Sequence, residues 1–155
     1  MPDKRTMRRA RRDARQGKSP STQAGEFVRE EIEDIRHGKH GARSAKQAIA
    51  IGLSKARRAG VDLPQPKAGR VSAATRRKAA RDTAIAHGAP KRRASTAKRA
   101  RASENALKRE PRNTASRAAL ARQGRQAAAR RTSAERSASA RKAARTRRGE
   151  HHHVM

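Results

Sequence analysis

The chain has 155 residues, with 42 Lys or Arg against 13 Asp or Glu, and therefore a formal net charge of +29. A single Phe, no Tyr or Trp, and a hydrophobic fraction of 33% that is mostly Ala leave few side chains able to build a core. Low hydrophobicity with high net charge is typical of disordered chains and argues against an ordinary globular domain of this length.

The charge and the absence of other features also indicate the class of partner. Self-repulsion at this charge opposes a compact free state, so we expect a polyanion, namely nucleic acid and in particular duplex DNA. A membrane surface is disfavoured because large apolar anchors are missing, and no apolar run is long enough for a transmembrane helix. The basic N-terminus lacks the apolar part of a secretory signal, and the absence of Cys fits the cytoplasm.

The distribution of charge predicts five segments along the chain. Residues 1–19 form a basic arm, 20–62 a helical hairpin, 63–70 a Pro-containing linker, 71–149 a basic tail and 150–155 the terminus. Residues 67–149 hold 26 Lys or Arg and four acids, a net charge of +22, whereas residues 20–66 are nearly balanced at +2. Balanced charge and most of the large apolar side chains mark the hairpin as the folded module.

The first predicted helix of the hairpin begins after Ser21 or Thr22 as N-cap and ends before Gly38. Its apolar stripe combines Phe27 with residues at i, i+4 and i+7, which are Val28, Ile32 and Ile35. The remaining surface is acidic. These acids could pair with Arg29, Arg36 or the tail, and we favour a solvated helix face over a surface that limits self-association or inhibits the tail.

The second predicted helix lies in "RSAKQAIAIGLSKARRAG", residues 43–60. Ser44 and Gln47 fit a capping box, and Gly60 fits the left-handed position after the last turn. Ile49, Gly52, Leu53 and Ala56 share one face, and its small residues allow a close approach of the first helix. We predict an antiparallel hairpin with the core Phe27, Val28, Ile32, Ile35, Ile49 and Leu53. Because two such helices are marginal alone, the hairpin forms a homodimer, recruits a tail helix or becomes ordered on binding.

The tail contains four helix-prone segments, at 72–87, 95–110, 114–131 and 132–148. The last opens with a T-x-x-E capping box, Thr132 and Glu135. Ala and Arg favour helix, but like charges one turn apart oppose it. The expected fold is therefore all-α, with a small hairpin and a long Ala/Arg-rich tail that is disordered or fluctuating helix when free, and with no large core.

The basic runs of the arm and the tail predict a sequence-independent interface that neutralises phosphates and releases counterions. Without aromatic side chains, the sequence lacks the stacking platforms of single-strand binders. The expected nucleic-acid-binding residues are Arg8, Arg9, Arg11, Arg12, Arg76, Arg77, Lys78, Arg81, Lys91, Arg92, Arg93, Lys98, Arg99, Arg101, Arg130, Arg131, Arg141, Lys142, Arg145, Arg147 and Arg148.

Three sharper hypotheses receive less support from the sequence. A helix-turn-helix would place Lys46, Lys55, Arg57 and Arg58 near phosphates, but two helices alone are weak grounds for base reading. The terminal "HHHVM" cannot turn three adjacent His to one ion, and His37 and His40 fit turn positions, so we expect no metal site and no cofactor. No nucleophile and base are placed together by any motif, so we do not expect an enzyme.

The segment from Lys46 to Ala56, "KQAIAIGLSKA", resembles an uncharacterised family of short basic bacterial proteins that share K-Q-A-I-A-I-(A/G)-L-S-(E/K)-A. The resemblance covers residues 20–66 and implies DNA binding, a label that some members carry. In composition the tail is similar to those of linker histones and bacterial histone-like proteins, although it uses more Arg than Lys. The leading hypothesis is a nucleoid-associated, histone-like protein. The alternatives are an RNA- or ribosome-associated protein, and an interaction or stress-related protein that uses the hairpin.

Overall fold

Seven α-helices and one 3-10 turn form the described part of the chain, residues 1–91 and 96–152 of a computed structural model, with side chains described as far as residue 149. The helices are α1 Lys4–Arg15, α2 Pro20–Arg36, α3 Ala45–Arg58, α4 Ala73–Ala86, α5 Ala97–Arg109, α6 Arg117–Ala129 and α7 Ser133–His152, and the 3-10 turn is Asn113–Ala115. These residues contain no strand, which confirms the all-α fold class. Backbone contacts divide the chain into two compact units, Met1–Ser116 and Arg117–Met155.

The start of α2 lies earlier than Ser21 or Thr22, the caps expected from the sequence. Ser19 is the N-cap and accepts a hydrogen bond from the backbone N–H of Thr22, and Pro20 occupies the first turn of the helix. Pro suits this position because its fixed φ is helical and its missing N–H would have no partner there. The helix then ends at Arg36, followed by Gly38 with φ of 77°.

The bounds of α3 follow from local hydrogen bonds at both of its ends. Ser44 Oγ accepts from the Gln47 N–H at 3.1 Å, while the Gln47 side chain accepts from the N–H of Arg43 at 2.6 Å instead of from that of Ser44. At the other end Gly60 has φ of 95°, which allows the Val61 N–H to reach the Ala56 carbonyl at 3.1 Å. This closure of the last turn directs Val61 into the core, where it is buried.

Helices α2 and α3 pack as an antiparallel pair. Phe27, in the first half of α2, shares a core cluster with Ala56 near the end of α3. Ile35, at the end of α2, shares a second cluster with Ala48 near the start of α3. The order of contacts along one helix is therefore the reverse of that along the other, as expected for a hairpin.

The two helices approach each other closely at Gly52. A Cβ added there would lie 2.6 Å from the Cα and 2.9 Å from the backbone N of Val28. Only a residue without a side chain fits at this separation. The small residues on the inner face of α3 thus set how closely the hairpin packs.

The six residues expected to form the core differ in burial. Phe27 and Ile35 are fully buried, whereas the others are half-buried, namely Val28, Ile32, Ile49 and Leu53. The two clusters also include residues assigned from the sequence to the arm, the linker and the tail, which are Ala10, Leu63 and Ala115. The core is small and draws on far more of the chain than the hairpin.

The structure does not support a disordered tail. Helix α4 packs against α3 and is held by the buried Asp82, whose carboxylate accepts hydrogen bonds from Ser54 Oγ at 2.5 Å and Arg58 Nε at 2.7 Å. The predicted repulsion between like charges is offset here, because an acid within the basic run finds cationic and hydroxyl donors on the hairpin. Of the three ways to stabilise the hairpin, the structure shows recruitment of a tail helix, while a homodimer stays a prediction.

The last turn of α5 and the segment that follows it dock on the turn between α2 and α3. The Gly41 N–H donates to the Leu107 carbonyl at 2.8 Å, and the Ala42 N–H donates to the Pro111 carbonyl at 3.0 Å. A Cβ on Gly41 would collide with the backbone of Glu110. This glycine is therefore required by the close passage of a second stretch of backbone.

The unit Arg117–Met155 contains α6 and α7. The predicted capping box is present in full, because Glu135 N–H donates to Thr132 Oγ1 at 3.2 Å and Thr132 N–H donates to Glu135 Oε2 at 2.9 Å. Helix α7 continues beyond the expected end at Gly149 to His152. No residue of α6 is buried, so its bounds depend on local propensity and not on a core.

Candidate nucleic-acid interface

The expected phosphate-binding residues lie on six parts of the structure. They lie on α1 (Arg8, Arg9, Arg11, Arg12), on α4 (Arg76, Arg77, Lys78, Arg81), after α4 (Lys91), on α5 (Lys98, Arg99, Arg101), after α6 (Arg130, Arg131) and on α7 (Arg141, Lys142, Arg145, Arg147, Arg148). Arg92 and Arg93 lie outside the described residues. All the described ones except Arg9 and Arg131 are exposed, as a phosphate interface requires.

One group of these residues converges on an open groove in the unit Met1–Ser116. Its walls are α1 and α4, and the C-terminal turn of α3 lies between them. The cations that line it are Lys4, Arg8, Arg11, Lys55, Arg58, Arg77, Lys78, Arg81 and Lys91, against one carboxylate, Asp82. The groove has a volume of about 1580 Å³. The fold thus joins basic residues of the arm and of the tail that are far apart in sequence.

Other residues of the predicted set on α1 and α4 do not line this groove. Arg9 is half-buried and its guanidinium lies 3.6 Å from a carboxylate oxygen of Glu26 on α2. Arg12 and Arg76 are exposed on other faces of their helices. These helices therefore present cations on more than one side.

The cations of α3 that a helix-turn-helix would use are engaged within the protein. Lys55 Nζ lies 2.6 Å from Glu31 Oε2, and Arg57 is buried and donates to the Pro64 carbonyl at 3.2 Å. Burial lowers the pKa of the Arg57 guanidinium from its usual value. Arg58 pairs with Asp82, so only Lys46 of the four is exposed without such a contact among the described residues. This arrangement argues against α3 as a recognition helix.

Acidic side chains of α2 form ion pairs with cations that lie close to them. The pairs are Glu26 with Arg9 of α1, Glu33 with Arg29 at 3.1 Å, and Asp34 with Lys39 at 2.6 Å. Hydrogen bonding to Asp34 raises the pKa of Lys39. Arg36, which was one expected partner, instead donates to the Ala115 carbonyl at 2.9 Å. These contacts favour a structural role for the acidic residues over inhibition of the tail.

Carboxylates elsewhere in the chain are also engaged. Every carboxylate side chain described in the structure, except that of Asp62, accepts an ion pair or a hydrogen bond: Asp3, Asp13, Glu26, Glu30, Glu31, Glu33, Asp34, Asp82, Glu104, Glu110 and Glu135. Of the predicted phosphate-binding residues, Arg9 takes part in these ion pairs. With Arg130 set aside, the other cations of the predicted set that the structure describes form no ion pair with these carboxylates.

A buried polar cluster formed by α2, α3 and the turn between them was not predicted from the sequence. Glu31 is fully buried, and its carboxylate faces Lys55 of α3 and, at 3.1 Å, Nε2 of His40. His40 Nδ1 lies 2.9 Å from the Gly41 carbonyl, so the ring donates to both acceptors only when both nitrogens carry hydrogen. No local signal marks this contact, since the acids of α2 look alike in sequence.

The same cluster offers the donor set closest to a metal site. One ligand atom each of Glu31, Asp34 and His40 lies within 4.8 Å of the others. Lys55 and Lys39, however, already neutralise the two carboxylates at 2.6 Å each. Ammonium groups at these distances occupy the positions where a cation would bind, so the cluster serves the packing of the hairpin.

Comparison with known proteins places one part of the chain in a wider group. Residues 21–68 match the profile of a family described as "Family of unknown function (DUF6496)", so the hairpin and the following linker are similar to a domain without an established function. No curated protein and no solved structure matches the chain. Among the described helices, none has the length and apolar character that crossing a membrane requires.

Proposed function

We propose that this protein binds nucleic acid, with duplex DNA as the main target, through sequence-independent contacts to phosphates. In this role it is a bacterial nucleoid-associated, histone-like protein of the cytoplasm, and it is not an enzyme. The observation that supports the proposal is that the described carboxylates other than Asp62 are engaged elsewhere, which leaves most of the exposed cations of α1, α4, α5 and α7 without a carboxylate partner among the described residues. An external polyanion supplies the missing negative charge and releases its own counterions.

The distribution of these cations suits backbone contacts better than base reading. They lie on several sides of several helices, and α3, the candidate recognition helix, has only Lys46 exposed and unpaired among its cations described here. Base readout requires a few side chains fixed inside a groove of the DNA, whereas phosphate neutralisation requires only positive charge close to the DNA backbone. Binding is therefore expected to depend strongly on salt and weakly on sequence.

The test is a titration of labelled duplex DNA, duplex RNA and single-stranded DNA at several salt concentrations. For duplex DNA the logarithm of the association constant should fall linearly with log[salt], with a slope near −0.9 for each phosphate neutralised. A slope near zero, or no binding at physiological salt, overturns the proposal. Tighter binding to RNA than to DNA replaces it with the RNA- or ribosome-associated alternative.

A variant of the full-length chain with fewer charges on α7 measures how much this helix contributes to the salt dependence of DNA binding. Replacing Arg141, Lys142, Arg145, Arg147 and Arg148 with Gln should reduce the magnitude of the slope by up to about 4.5. The matched control replaces Ala134, Ala138, Ala140 and Ala143 with Gln on the same helix, which leaves the charge unchanged. An equal effect of both variants would show that helix structure, and not charge, controls binding.

A further inference from the structure

The groove between α1 and α4 combines a basic rim with an apolar floor. Met7, Ala59 and Ile85 are half-buried and line it together with the exposed Ala74. Met7 and Ala59 also pack against the core cluster that contains Phe27. The groove is therefore the side on which this core reaches solvent.

We propose that this groove binds an acidic amphipathic helix of another protein. An apolar stripe on that helix would continue the core over Met7, Ala59 and Ile85, and its acidic flanks would meet Arg8 and Arg11 of α1 and Arg77 and Arg81 of α4. Grooves that receive helices in this way combine an apolar floor with complementary charge at the edges. Nucleic acid and such a helix would contact the same cations, but only the helix would gain from the apolar floor.

The size of the groove fits a helix better than a small molecule. Its volume of about 1580 Å³ exceeds the range of roughly 300–1,000 Å³ that is typical of small-ligand pockets. A three-turn helix, about 16 Å long and 10 Å across, occupies roughly 1,300 Å³. The residues of α4 that line the groove run from Ala74 to Ile85, about 16 Å of helix, which matches the length of three turns.

Charge decides against a second copy of the chain as the occupant. The acidic helix of this protein is α2, and it already packs against α1 and α3. Residues 117–149 contain a single acid, Glu135, among many Arg, so a helix from that part of another copy would be repelled by the rim. The occupant therefore comes from a different protein with acidic residues around an apolar face.

The test uses a synthetic helix of about 18 residues with Leu on one face and Glu on the other, labelled for fluorescence anisotropy. A peptide with the same composition in permuted order controls for attraction to the positive charge of the whole chain. At physiological salt the amphipathic peptide should bind at least about tenfold more tightly than the permuted one. Equal binding of the two peptides overturns the proposal.

Two matched pairs of variants locate the peptide on the groove. Ala74→Glu places a negative charge in the lining and should weaken peptide binding about tenfold, whereas Ala80→Glu, exposed on α4 but outside the lining, should not. In a second pair, Arg81→Gln removes a cation of the lining and should weaken peptide binding, whereas Arg76→Gln, exposed on α4 but outside the lining, should not. Equal loss of affinity within each pair would place the peptide elsewhere and reject the groove.

A substitution that makes the apolar floor polar distinguishes this proposal from the nucleic-acid proposal. Ile85→Gln should weaken binding of the amphipathic peptide about tenfold and leave the affinity for duplex DNA unchanged within about twofold. Circular dichroism of each variant checks that the helices are retained. If Ile85→Gln reduces DNA and peptide binding equally, the groove is a nucleic-acid site and the peptide proposal fails, while the function proposed above stands.

Discussion

Asp82 in α4 and Arg58 in α3 form an ion pair with an Oδ1–Nε distance of 2.7 Å, in which the carboxylate is almost fully buried and the guanidinium is half-exposed. Ser54 donates a second hydrogen bond to the same carboxylate. This single acid is the polar link between a basic helix and the hairpin. Its pairing with these two donors of α3 favours the packing of α4 on the hairpin despite the surrounding positive charge.

Asp82→Asn should weaken the docking of α4. The amide keeps the shape of the side chain and can still form hydrogen bonds, but these contribute about 0.5–1.5 kcal/mol in place of about 1.5–3 kcal/mol for bonds to a charged group. Because Arg58 stays solvated after the change, we expect a loss of about 1–2 kcal/mol in the free energy of unfolding. Urea unfolding measures it, with Asp62→Asn as the control on an exposed, unpartnered carboxylate. Identical midpoints for the two variants would contradict the assigned link.

Gly52→Ala should destabilise the hairpin, since the added Cβ meets the backbone of Val28, which cannot rotate away. Separation of α2 and α3 should cost about 1–3 kcal/mol. Gly25→Ala is the matched control on α2, because a Cβ there meets nothing within 4 Å and Ala favours the helix. Thermal unfolding should show opposite signs for the two changes, and a stabilised Gly52→Ala variant would reject the close approach.

Lys55→Met should destabilise the protein more than the double change Glu31→Gln with Lys55→Met. The single change leaves the fully buried Glu31 carboxylate with His40 as its remaining ion-pair partner, at a cost of roughly 3 kcal/mol. The double change removes the buried charge as well. A double-mutant cycle in urea measures the coupling between the two residues, and strictly additive effects would show that they do not interact.

Gly41→Ala should detach the segment that follows α5 from the turn of the hairpin. The new methyl group collides with the backbone of Glu110, which breaks the hydrogen bonds from Gly41 and Ala42. Faster amide exchange at Ala42 and faster proteolysis near Pro111 should report the release. Gly124→Ala is the control at an open position of α6 and should leave both rates unchanged. Unchanged rates in Gly41→Ala as well would show that the two backbones do not meet.

Local signals in the sequence predicted the positions of several helices well. The caps Ser44 and Thr132 and the stop at Gly60 operate within one turn of backbone, so neighbouring residues contain the information needed to find them. The antiparallel pairing of α2 and α3 also follows from local features, namely two apolar stripes and a short connection. For the same reason Gly52 could be selected in advance as a point of close approach.

The sequence could not predict which acids and carbonyls would join distant elements. Asp82 is one acid in a basic run, and the segment after α5 docks through backbone groups that every residue possesses. The groove likewise depends on α1 and α4 lying on either side of α3, which no periodicity reports. High net charge predicted disorder, whereas in the unit Met1–Ser116 the buried carboxylates Glu31 and Asp82 pair with cations beside two small apolar clusters.

The docking of the segment after α5 has a consequence for the order of folding. Thr114 donates to the Ala42 carbonyl across 72 residues, whereas the α2–α3 hairpin closes over a short turn. Long loops are closed at a higher entropic cost, and contacts distant in sequence form late. The hairpin is therefore expected to be the folding nucleus, and Thr114 is expected to reach Ala42 after the rate-limiting step. Substitutions at Thr114 should accordingly accelerate unfolding and leave the folding rate unchanged.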